Sequence, residues 1–224
     1  MCGVDHRGPK NQGKLGGRLR ISVLAWGSIV WARRNLAIIT DFEPTGPRLP
    51  IEFCRVSRDG RLTLVIEEVF GAPCIAYSAT SGFDNLDAAI ENLRDREHMP
   101  SPEGIGFTIP DRGRQSARAV ECHPRAVKVI TAWANSKGFD AAIWTALGSN
   151  FAEKAREPFS AEAAIRYLET RNGKTLDAAL TYIQRAPPEI QTPVRVAVNT
   201  RWPEAFQSSL TGLKPGQVRF GIRG

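Results

Sequence analysis

Two short stretches carry the residues best suited by type and spacing to chemistry. Gly27-Ser28 follows the apolar run Ile21-Ser-Val-Leu-Ala-Trp26, so a strand gives way there to a tight turn. Successive backbone N–H groups of such a bend, through Ile29, can converge on an anion. Glycine admits positive φ and the close approach of a ligand; a plain turn accounts for the pair equally well. Trp26 could cover the apolar face of a ligand and donate through its ring nitrogen, or it could pack in the core, as could Trp31. The second stretch ends at Glu97. A carboxylate at a helix end, facing a cleft, can act as a general acid and base. Glu91, Arg94, Asp95, Arg96 and Glu97 also form a charge run, which is ordinarily a solvated helix face.

Other constellations fail. No G-x-S-x-G elbow precedes a serine that His98 or His123 could activate. Cys122 and His123 are neighbours in sequence, whereas a nucleophile and its base normally meet from separate elements. Four scattered cysteines, Cys2, Cys54, Cys74 and Cys122, lack the paired spacing of a zinc site, so no metal is expected. Cys54 and Cys74 sit in apolar, strand-like contexts and read as buried free thiols of a reducing compartment. Gly104-Ile-Gly106 lacks the surroundings of a phosphate loop.

The elements that must position these residues can be read from the pattern. A strand starts at Ile21. Residues 51–57 and 61–67 flank Arg58-Asp59-Gly60 and predict a hairpin. A short strand follows at 74–78. Asp84 or Asn85 then caps a helix with an apolar face of Leu86, Ala89, Ile90 and Leu93, reaching Arg96 or Glu97 before Pro100 and Pro102. Residues 101–118 predict a loop or short hairpin. A helix starting at Pro124 and ending at Gly138 follows, then helices over 140–147, from Ser160 through Leu168, and from Lys174 to Arg185. Pro193 to Val198 predicts a final strand. Strands, one helix, a helical block and a last strand make an α+β protein rather than a doubly wound one.

With 42% hydrophobic and 24% charged residues the composition is that of a globular protein. No apolar run of membrane-spanning length and no secretory leader pattern is present, which predicts a cytoplasmic protein. The formal charge is +7. Arg7, Lys10, Lys14, Arg18 and Arg20 against Asp5 put four of those charges in residues 1–20, which also hold five glycines. That segment predicts a flexible arm ahead of one domain over 21–224. Basic charge in an arm, rather than clustered on a folded element, argues against nucleic-acid recognition.

Three segments together resemble the γ-glutamylcyclotransferase superfamily, its ChaC-like branch in particular. Leu24-Ala-Trp-Gly-Ser-Ile-Val-Trp31 is similar to the family's Phe-Gly-Tyr-Gly-Ser-Leu-Ile-Trp signature. Gly60-Arg-Leu-Thr-Leu-Val65, followed by Ala76-Tyr77, resembles its Arg-Val-Leu-Thr-Leu…Gly-Val-Ala-Tyr strands, and Leu93-Arg-Asp-Arg-Glu97 its helix-ending Leu-x-x-Arg-Glu. The resemblance implies a mixed sheet or partial barrel with flanking helices, and an enzyme without metal or organic cofactor. It would release 5-oxoproline from a small γ-glutamyl amine or peptide, as in glutathione metabolism. Glu97 would be catalytic, with Trp26, Gly27, Ser28 and Ile29 binding the substrate. The α-amine attacks its own γ-carbonyl, and a carboxylate raised by desolvation above its ordinary ~4.3 moves the proton. The sequence departs from the pattern twice. Trp26 stands where the family has Tyr, and His98-Met99-Pro100 replaces the Gly-Tyr that follows the glutamate. These departures favour a second reading, a binding module that has lost catalysis. The helical block over 124–186 has no counterpart in the short enzymes and is expected to cap the cleft or to meet a partner.

Overall fold

The computed structural model of the chain describes residues 18–207. Among them, eight strands and eight α-helices form an α+β arrangement of two sheets, neither closed into a barrel. In the five-stranded sheet β1 (Ile21–Ala25) pairs antiparallel with β5 (Tyr77–Thr80) and parallel with β8 (Ala141–Thr145). Beyond β8 lie β6 (Ile105–Ile109) and the short β7 (Arg114–Gln115), each antiparallel to its neighbour. In the second sheet β2 (Arg48–Val56) lies between β3 (Leu62–Ile66) and β4 (Ala72–Ile75). The predicted β2–β3 hairpin turns at Gly60, with φ +82°. The 101–118 segment takes the hairpin form, β6 to β7.

Three expectations are corrected. Within residues 140–147 the chain forms strand β8 (Ala141–Thr145), not a helix. Ala141, Ala142, Ile143 and Trp144 are fully buried in the middle of the sheet. A strand covered on both faces loses the polar alternation that separates it from a buried helix. Residues 193–198 form helix α7 (Pro193–Arg201), not a strand. The Val-Arg-Val-Ala-Val alternation is misleading, because Val194 and Val198 are buried while Val196 is 57% exposed, a helical period. Thr192 accepts the Arg195 N–H at 3.2 Å and Pro193 takes the first helical position, the usual start of a helix. Residues 74–78 are two strands in different sheets, parted at Ala76, whose N–H and C=O bond Pro47 and Gly46 at 3.0 Å.

Residues ahead of Ile21 are already tied into the fold. The Leu19 N–H donates to the Asp84 carbonyl at 3.0 Å, and the Arg20 guanidinium lies 4.2 Å over the Phe139 ring. Residues 1–17 of the expected arm lie outside the described residues.

Helix α1 (Leu86–Glu97) starts as expected, with the Asn85 side chain accepting the Ala88 N–H at 3.0 Å. It stops at His98, in the left-handed region at φ 53°. This conformation turns the chain immediately after Glu97 and satisfies two helix-end carbonyls, those of Arg94 and Asp95. Next come α2 (Ala117–Cys122), α3 (Pro124–Ser136), α4 (Phe151–Ala155), α5 (Ala161–Glu169), α6 (Gly173–Arg185) and, after α7, α8 (Pro203–Gln207). Leu49, Ile51 and Phe53 of β2 share one buried cluster with Ile130, Leu168, Ile183 and Val198 of α3, α5, α6 and α7. A second cluster joins Leu86, Ile90 and Leu93 of α1 to Ile21, Val23 and Ile143 of the larger sheet. The helical block therefore packs on the smaller sheet and on one face of the larger, whose Leu24, Ala142 and Trp144 join the same cluster, while α1 is held against the other face.

Candidate active site

A cavity of about 1370 Å³ opens where the turn after β1, the β2–β3 hairpin, the end of α1 and helix α6 meet. Glu97 and Ser28 both line it. Burying Leu93 and Ile90 fixes the rotation of α1, and the left-handed stop at His98 leaves Glu97 as its last residue, 21% exposed at the side chain. The neighbouring Arg96 is 3% exposed. Its guanidinium pairs with Glu97 Oε1, reaches Ser28 Oγ with both terminal nitrogens at 3.4 Å, and donates to the Ala32 carbonyl at 2.6 Å. One buried cation thus ties the acid at the helix end to the bend after β1. A planar fork can serve three oxygen acceptors at once, which a point charge cannot.

The third party is Tyr182 of α6, buried and lining the same cavity. Burial pushes the phenol up to about 12, and the Glu97 carboxylate adds to the rise. The backbone N–H groups of Leu64 and Ser28 act to lower its pKa, but by less than burial raises it. Tyr182 is therefore a neutral phenol at physiological pH. It packs edge-on against Trp31 (ring centroids 5.4 Å) and Phe53 (6.2 Å). Sequence reasoning passed over it because Ala179, Leu180 and Ile183 make it one of an ordinary buried helix face.

Of the four expected substrate contacts, Ser28 alone lines the cavity. Trp26 is buried in the cluster of the smaller sheet and Ile29 in that of the larger. Gly27 does not have positive φ. Its missing side chain makes room for Tyr182, since a Cβ there would stand 2.7 Å from the hydroxyl oxygen. The close approach expected of a ligand at Gly27 is made by the protein's own phenol.

His98 lines the cavity and its Nε2 lies 3.0 Å from Nη1 of Arg34, which also lines it. Both are in the left-handed region, two of only three non-glycine residues so placed among those described. Such backbone is uncommon and gathers at functional sites. His123, by contrast, is buried away from the cavity with neither ring nitrogen hydrogen-bonded, and burial pushes it down to about 4. The most deeply buried acid is Glu52 on β2, which accepts the N–H groups of Phe53 (2.6 Å) and Val194 (3.3 Å) and so docks the start of α7. Burial raises its pKa, but it lies outside the cavity. Cys54 and Cys74 are buried free thiols, both pushed up by burial.

The basic charge of the folded part is not spread evenly. Seven arginines and Lys154 line the cavity, with Glu97 the only carboxylate among the lining residues. Among the described residues, no group of three or more His, Cys, Asp or Glu could hold a metal ion, and no helix is long and apolar enough to cross a membrane. Comparison of the chain with protein-family models, with curated proteins and with solved structures finds no match in any of the three.

Proposed function

We propose that the chain is a γ-glutamylcyclotransferase-like enzyme that releases 5-oxoproline from a small γ-glutamyl amine or peptide. The observation that carries this reading is the joint placement of Glu97 and Ser28 on one cavity, with buried Arg96 bridging them. Glu97 removes a proton from the substrate α-ammonium. The freed amine attacks the γ-carbonyl carbon, forming the ring C–N bond and placing negative charge on the carbonyl oxygen. Tyr182, a neutral phenol lining the same cavity, donates a hydrogen bond to that oxyanion. The bond to the leaving nitrogen then breaks as Glu97 returns the proton to it, and the ring nitrogen gives up its second proton, so that a neutral lactam remains and the amine departs as its ammonium. Holding amine and carbonyl in contact supplies much of the rate, since the reaction is intramolecular. Arg96 is a positioning residue that fixes the Glu97 rotamer. The free thiols of Cys54, Cys74 and Cys122 suit a reducing, cytoplasmic setting.

The reading is tested by incubating the pure protein with a panel of γ-glutamyl amines and peptides and assaying 5-oxoproline. Release from at least one compound is expected, and silence across the panel ends the proposal.

A second reading, a ligand-binding module without turnover, is favoured by one observation: Glu97 Oε1 is already committed to Arg96, leaving one oxygen for proton transfer. Thermal stabilisation by a γ-glutamyl compound that is never consumed would select it.

A further inference from the structure

The charge of the cavity exceeds anything a γ-glutamyl group requires. Three of its eight cations have carboxylate partners: Arg96 with Glu97, Arg61 with Asp59 at 2.7 Å, and Lys154 with Glu153 at 2.7 Å. The other five, Arg34, Arg55, Arg58, Arg171 and Arg185, make no ion pair among the described residues. Four of them lie against groups other than carboxylates. Arg171 lies 4.4 Å over the Tyr167 ring, Arg185 lies 5.9 Å from the Trp31 ring, Arg55 donates to the Gly148 carbonyl at 2.7 Å, and Arg34 touches His98. They come from separate elements: the β1–β2 connection, the β2–β3 hairpin, the α5–α6 turn and the end of α6. Like charges gathered around one concave site repel one another and focus an attractive field on an anion. All five are arginines, whose planar forks match phosphate oxygens in pairs. The cavity is also larger than the roughly 300–1,000 Å³ of most ligand sites, which leaves room beyond a γ-glutamyl group at Glu97.

We propose that this cavity binds a small polyanion through phosphate groups. Resting on the reading above, we assign the substrate as a γ-glutamyl conjugate whose leaving amine is phosphorylated, its phosphates facing Arg55, Arg58, Arg171 and Arg185. The single α-carboxylate of an unphosphorylated conjugate would leave most of these guanidiniums without a counter-charge.

The test uses the full chain and inorganic pyrophosphate, with binding read by calorimetry and by the shift in Tm. Saturable binding is expected, with one site per chain, weakening as salt rises. Arg58→Gln and Arg185→Gln, both exposed side chains whose loss leaves the core untouched, should each loosen it on the order of tenfold. Glu97→Gln removes the only carboxylate of the cavity wall and should tighten it. No binding, or binding indifferent to both arginine changes, overturns the proposal. So does a single-stranded oligonucleotide that binds more tightly than pyrophosphate and is weakened by the same changes, which would make the cavity part of a nucleic-acid surface. Pyrophosphate binding involves no turnover. A failure here is therefore separate from a failure to release 5-oxoproline.

Discussion

The Tyr182 hydroxyl fills the space that a side chain on residue 27 would need, with a Cβ on Gly27 falling 2.7 Å from the phenolic oxygen. The backbone at Gly27 is not left-handed, so an alanine there meets a steric obstacle and not a conformational one. Gly27→Ala is expected to destabilise the fold by about 1–3 kcal/mol, the usual effect of overpacking. Pairing it with Tyr182→Phe removes the clashing oxygen and leaves the next ring atom 3.8 Å away. Urea unfolding of the two single variants and the double should then give a favourable coupling energy. Additive effects would show that the two residues do not compete.

Arg96 serves three oxygens from a 3% exposed position, whereas Glu97 serves one partner at the edge of the cavity. Removing the cation strands groups that it satisfied. Arg96→Met is expected to cost about 3 kcal/mol, while Glu97→Gln, whose carbonyl still accepts from Arg96, should lie within about 1 kcal/mol of the parent. Equal losses on denaturation would contradict this asymmetry.

All three tyrosines of the chain are pushed up by burial. Tyr77, which also hydrogen-bonds Glu189, and Tyr182 reach about 12, and Tyr167 is raised as well. An unfolded phenol ionises near ~10. The stabilisation is therefore complete below ~10 and is lost as pH rises toward about 12. An alkaline titration followed by tyrosinate absorbance should show no ionisation near pH ~10 until the protein unfolds. A tyrosine titrating at the ordinary value in the folded state would be inconsistent with these environments.

His123 has the opposite sense. Its folded value of about 4 lies below the ~6.5 of an unfolded imidazole, because burial outweighs the opposing pull of the Glu68 carboxylate. Its contribution is intact above pH ~6.5 and is withdrawn as pH falls toward 4, by about 3 kcal/mol in all. His123→Leu should flatten that part of the stability profile. An unchanged acid slope in the variant would assign the loss to other groups.

The hairpin at Gly60, the Asn85 cap of α1 and the start of α3 at Pro124 were legible because each has a local signal: a turn dipeptide, a capping side chain, a proline at the first helical position. Strand β8 was not legible, since burial on both faces erases periodicity. Helix α7 was obscured by alternating valines, although Thr192-Pro193 carried the correct start signal. At the site, Glu97 and Ser28 could be singled out because one ends a helix and the other lies in the turn that follows a strand. Tyr182 could not, because its role depends on a contact with a glycine far along the chain. The clustering of arginines was equally hidden. Charge counted along the chain placed the basic excess in residues 1–20, whereas the fold draws eight cations of the remainder around one cavity.

On the proposed reading, Glu97 moves the proton in a cyclisation occurring at the Arg96–Ser28 bridge. The most direct measurement compares 5-oxoproline release by the parent chain and by Glu97→Gln, both verified as folded, from a γ-glutamyl compound that the parent consumes. A fall in kcat on the order of a hundredfold or more, with binding retained, is the predicted result. Turnover at the parental rate by the glutamine variant would contradict it.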